Sequence, residues 1–129
     1  MKAVYFITTC QFRKTSFYCN SFYQHLLKVR KNPNHLTIGK RTWGYFFDLD
    51  EARKNVLQNY CDMYECGNTW AVIEGIKPSW PDTVANPQIF FEWEGRCDTG
   101  RYIEVPEWPK PLKEYYESNH IVKRITTIG

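Results

Sequence analysis

Residues Lys2 to Thr8 alternate Ala3, Tyr5 and Ile7 with Val4, Phe6 and Thr8, and both sets are apolar or β-forming. Side chains alternate faces along a strand, so this run predicts a central strand covered on both sides. Any fold for this chain must build a sheet around it. Residues 9 to 20 are rich in Thr, Gln, Arg, Lys, Ser and Asn, and read as a loop. Phe22, Leu26 and Val29 recur at helical spacing, which predicts a short amphipathic helix from Ser21 to Arg30. Asn32-Pro33-Asn34 stops it.

Thr37 to Phe47 reads as a second strand. Asp48 or Asp50 then caps a helix, with Glu51 in its first turn. Leu49, Ala52, Val56, Tyr60 and Met63 share a face, so the helix is expected to run to Cys66, with Gly67 as the left-handed stop. Trp70 to Ile76 (WAVIEGI) is a strand. Lys77 to Gln88 holds three prolines and reads as a stiffened loop. Ile89 to Trp93 and Arg101 to Val105 form a hairpin, with Gly95 and Gly100 available for positive φ. Leu112 to Ser118 predicts a short helix, and Ile121 to Ile128 is β-branched enough for an edge strand. The order predicts one α+β domain over residues 1–129: a mainly antiparallel sheet of about five strands, with two or three helices packed on one side.

Charge is strongly polarised. Residues 1–47 carry eight Lys or Arg and no Asp or Glu, whereas the rest of the chain carries nine basic and fourteen acidic residues. A uniformly basic DNA-coating protein and a uniformly acidic DNA mimic are both excluded. The basic residues Arg13, Lys14, Lys28, Arg30, Lys31, Lys40 and Arg41 interleave with Phe12, Phe17, Tyr18, Phe22 and Tyr23. That composition suits phosphates and stacked bases, or equally a solvated helix face. The pI of 8.6 falls short of the value above about 9 usual for a domain that coats nucleic acid. A small nucleotide fits the modest net charge better than a long nucleic acid.

No apolar run approaches the roughly 18 residues of a membrane span, and the start lacks a signal-peptide pattern, so a cytoplasmic location is expected. Five cysteines at irregular spacing do not make a disulfide framework. His25, His35 and His120 lack metal-ligand spacing, so no metal or cofactor is expected; the thiols read as small apolar groups.

Three further constellations stand out, each with two readings. Arg41 with Asn59, Asp62 and Glu65 forms either an ion-paired strand-to-helix network or a pocket in which Arg41 grips a phosphate. Trp43 and Tyr45, with Trp80 and Trp108 in Pro-rich loops, act either as core and lids or as contact residues. Glu74, Glu92 and Glu104 on adjacent strands are either solvent-facing or a metal cluster for phosphodiesterase chemistry, and the former is favoured. No nucleotide-loop, nucleophile-elbow or zinc-protease motif is present.

The pieces Arg41-Thr42-Trp43-Gly44-Tyr45-Phe46, Glu51-Ala52, Asn59, Asp62, Glu65, Trp70 to Glu74, Phe91-Glu92-Trp93 and Ile128-Gly129 occur in a spaced order. In this the chain resembles a diffuse set of small uncharacterised proteins from phages, prophages and Firmicutes genomes. The resemblance covers the core, residues 41–129. The basic strand-loop-helix of residues 1–40 is where this chain departs from it. What the resemblance implies is a mobile-element context in the cytoplasm of a bacterial host, where small proteins act against host defence. The expectation is a non-enzymatic protein that sequesters an anionic nucleotide-derived signal, held by Arg30, Lys40 and Arg41 and by Trp43, Tyr45 and Trp80. A homo-oligomer suits such a site. The alternative is an inhibitor that docks on a host defence protein or nuclease, and a more distant one is a metal-dependent phosphodiesterase.

Overall fold

Trp70–Ile76 is buried at every position, and it lies in the middle of the sheet. The computed structural model describes residues 3–14, 36–60, 63–64, 67–77, 85–96, 98–118 and 125–126. In chain order the elements are β1 (Val4–Lys14), β2 (Leu36–Phe46), α1 (Leu49–Leu57), β3 (Trp70–Ile76), β4 (Gln88–Glu94), β5 (Arg101–Val105) and α2 (Lys110–Ser118). The strands form one sheet in the order β2-β1-β3-β4-β5, and every neighbouring pair is antiparallel. The chain is thus an α+β fold, a five-stranded antiparallel sheet with two helices packed on it.

The helices do not share one side, as the sequence pattern suggested. Ile7, Ala71, Ile73, Phe91 and Tyr102 form one core layer with Ala52 and Val56 of α1. Cys10, Trp70, Val72 and Phe90 form another with Leu112 and Tyr116 of α2. β1 and β3 are apolar on both faces, and each face needs its own cover.

Two element boundaries also differ from expectation. β1 continues through residues 9–14, which the polar composition marked as loop. Thr9 and Cys10 are fully buried there, as is Thr8 just before them. The β-branched threonines suit a strand, and their hydroxyls find partners across it. Second, α1 ends at Leu57. Asp48 caps its start by accepting from the Asp50 amide at 2.9 Å, with Asp50 and Glu51 in the first turn. Asn59 then turns the chain at φ 49, a conformation that Asn tolerates better than most residues. Its side-chain oxygen accepts from the Tyr64 amide at 2.9 Å. Met63 therefore reaches the α1-side core from a turn and not from a helix face.

The β4–β5 hairpin forms as expected, and Gly95 takes φ 100. The predicted strand 121–128 is not seen at its described positions: Ile125 and Thr126 lie outside any strand. The helix expected over 21–30 falls outside the described residues.

Candidate functional site

β2 is an edge strand, and its path is set by one irregularity. Ile7 pairs with Gly44 while Thr8 pairs with Thr42, so Trp43 is an extra residue on β2. This is a β-bulge, which bends the strand and re-aims a side chain. The Trp43 indole turns to the α1 face, where it packs on the core and its Nε1 donates to Thr9 Oγ1 at 2.7 Å. The Arg41 guanidinium carbon lies 4.1 Å from the centroid of the Trp43 ring. Arg41 is exposed, so its guanidinium rests on the indole while remaining accessible to solvent.

Lys40 belongs to the other face. It pairs with Cys10, and its Nζ donates to the Ile125 carbonyl at 2.7 Å. Tyr45 pairs with Phe6 and is 62% exposed, and the neighbouring Phe47 is 78% exposed. Their rings meet edge to face at 5.9 Å. The structure therefore sets Arg41 on Trp43 at the α1 face, whereas Tyr45, which follows Phe6 and through it Glu74, stands with its contact to Phe47 on the α2 face, the side that Lys40 serves. Arg30, Trp80, Asp62 and Glu65 lie outside the described residues. Asn59 holds a turn, as above. Trp108 is a lid on the chain's own core, 4.6 Å from Phe90 and 5.7 Å from Tyr116.

The acidic residues do not cluster. Glu74 pairs with Gln88, Glu92 with Trp70 and Glu104 with Phe91. Glu104 thus shares the α1 face with Phe91, where it accepts from Arg53 Nε at 2.8 Å. Glu92 is exposed on the other face. Among the described residues no group of His, Cys, Asp and Glu is placed to hold a metal ion.

Glu74 itself overturns the solvent-facing reading, because it is fully buried. Its Oε1 accepts from the Thr126 amide and the Thr126 hydroxyl, both at 2.6 Å. Its Oε2 accepts from the Ile125 amide and Gln88 Nε2, both at 2.8 Å. The Thr126 and Thr42 hydroxyls lie 2.8 and 2.9 Å from Thr8 Oγ1. Residues 125–126 are thereby strapped across β1 on the α2 face. A buried carboxylate demands such saturation, since unpaired charge away from water is expensive. Burial first, and then the charge of Glu74, push the Cys10 thiol up to about 12, with Lys40 opposing. The thiol thus stays protonated through the neutral range and acts as a core group. The Glu inside an otherwise apolar WAVIEGI strand was the sequence signal for this network. Nearby, Trp70 Nε1 and the Tyr116 hydroxyl are buried without a partner among the described residues.

No helix among the described residues is long and apolar enough to cross a membrane. The chain matches no family model, no curated protein and no solved structure.

Proposed function

We propose that the chain is a non-enzymatic binding protein that captures a small anionic nucleotide-type ligand at the β2 edge, and so acts against a nucleotide-signalling host defence. The observation that carries this reading is the Arg41 guanidinium carbon set over the Trp43 ring, 4.1 Å from its centroid. An exposed guanidinium that already rests on an indole can meet a phosphate in bidentate fashion with less ordering to lose on binding. The exposed rings of Tyr45 and Phe47 lie further along the strand on the opposite face, so a ligand that reaches both must wrap the β2 edge, with a base stacked there. Polarised charge supports the same assignment, since the basic residues of the first 47 positions meet no acid in their own segment.

Titration calorimetry with ADP and with cyclic di-AMP tests the reading. Arg41→Ala should lower affinity about tenfold or more, as loss of a charged hydrogen bond does, while leaving the melting temperature nearly unchanged, as the exposed stack contributes only about 0.5–1 kcal/mol. Absence of binding by both nucleotides at millimolar concentration refutes it.

A second reading, docking on a host protein, is favoured by the exposure of Tyr45 and Phe47. Large aromatic side chains left in water at the end of an edge strand have the character of interface hot spots. In that case Tyr45→Ser with Phe47→Ser abolishes complex formation with the partner, and Arg41→Ala weakens it only mildly.

A further inference from the structure

We propose that the outer edge of β2 is a strand-addition site for an acidic extended peptide. The inference deepens the docking reading by naming the partner's chemistry and the mode of its capture. β2 is terminal in the strand order, so its outer backbone groups have no strand partner among the described residues. Its pairing with β1 is unbroken from Leu36 to Thr42, which gives a regular stretch whose alternate residues present N–H and C=O outward. Lys40, Arg41 and Thr42 are consecutive and all exposed. Consecutive strand residues face opposite sides, so neither face covers the edge at this point. A Cβ added to Gly44 would meet open space within 4 Å, so the face on which it would stand is also uncovered beyond the bulge.

Edge strands are usually blunted by a lysine, a proline or an outward charge. Here those devices are turned away. The stretch has no proline, the Lys40 ammonium is folded back onto the Ile125 carbonyl, and the Arg41 guanidinium lies on Trp43. Charge selects the occupant. Pairing two copies of β2 in antiparallel fashion centred on this exposed stretch sets one Lys40-Arg41 pair beside the other, and like charges opposite one another destabilise a sheet. An incoming strand carrying Glu or Asp instead places a carboxylate against Arg41 in a segment that has no acid of its own.

The test uses a fluorescein-labelled peptide of eight residues alternating valine and glutamate, read by anisotropy at low salt. Three outcomes are expected. The peptide binds; a version with alternate backbone nitrogens methylated on its pairing edge binds about tenfold more weakly or worse; and a version with lysine in place of glutamate does not bind. Hydrogen exchange should slow at amides within Gly39–Thr42 when the acidic peptide is added. If the methylated peptide binds as well as the parent, strand addition fails and side-chain docking stands. If neither acidic nor lysine peptide binds, both fail.

Discussion

Replacing Glu74 by Gln keeps the shape of the side chain and removes one acceptor oxygen, so its effect isolates the electrostatics of the strap. Two of the four donors can adapt. The Gln88 amide can turn to present its oxygen, and the Thr126 hydroxyl can turn to accept. The Ile125 and Thr126 amides cannot. Whichever way the new amide points, its NH₂ faces one of these two backbone N–H groups. A buried donor left without an acceptor costs about 1–3 kcal/mol, and the remaining bonds lose their charge assistance, so the total is about 2–4 kcal/mol. For a chain of 129 residues the unfolding entropy is about 0.27 kcal/mol per kelvin, and the melting temperature should fall by about 7–15 °C. Circular dichroism melts at pH 7 read the loss, and hydrogen exchange reads its place. The Ile125 and Thr126 amides should exchange faster than the α1-side core amides at Ala71 and Ile73. A melting temperature within about 2 °C of wild type refutes the reasoning, as does a large drop with unaltered exchange at 125–126.

Three further outcomes follow from the packing. Because the Cys10 thiol is pushed up from 9.0 to about 12, the folded chain keeps a proton that the unfolded chain has lost. Stability is intact below pH 9 and falls as pH rises towards about 12, by at most about 1.4 kcal/mol per pH unit from this group. Tyr102 and Tyr116, also pushed up mainly by burial, steepen the fall above pH 10, and Cys10→Ala should flatten it in alkaline melts. At pH 8 peptide mapping should find Cys10 unlabelled by a disulfide reagent in the native protein and fully labelled in guanidinium; native labelling at the rate of a free thiol contradicts the burial argument. Gly75→Ala sets a Cβ 2.6 Å from the Asn86 carbonyl oxygen and should cost about 1–3 kcal/mol, whereas Gly44→Ala should stabilise by about 0.5–1 kcal/mol, both read by denaturant midpoints.

Where local pattern and burial agreed, the elements were legible. WAVIEGI is apolar enough to demand the sheet interior, Asp48 has the chemistry of a cap, and Gly95 sits where a hairpin needs positive φ. Residues 9–14 misled because their polarity is satisfied by partners distant in sequence: Thr9 serves Trp43, just as the neighbouring Thr8 serves Thr42 and Thr126. No local window contains those partners. The α1 face continues in the sequence past Leu57, but Asn59 exchanges two turns of helix for a side-chain bond to Tyr64, and periodicity does not register such a bond. At the candidate site, Arg41 and Trp43 were foreseeable as neighbours on alternate positions. The bulge that aims Trp43 depends on the β1 register, and so does the parting of Lys40 from Arg41. The burial of Glu74 was signalled by its neighbours and hidden by its charge.

The tie between Thr8 and Thr126 spans 118 residues, and this shapes the order in which the protein can mature. Closing a loop of that length costs about 4 kcal/mol in chain entropy beyond a constant, so the strap is among the last contacts expected to form. During synthesis β1, β2 and β3 emerge long before residues 125–126. Until the strap arrives, the Glu74 carboxylate lies uncovered beside Val72 and Cys10, in a layer meant to be dry. A nascent chain, or one cut before residue 125, is therefore left with an unfinished face exposed to aggregation and proteolysis. Quality control of this protein should hinge on the segment carrying Ile125 and Thr126 more than on either helix.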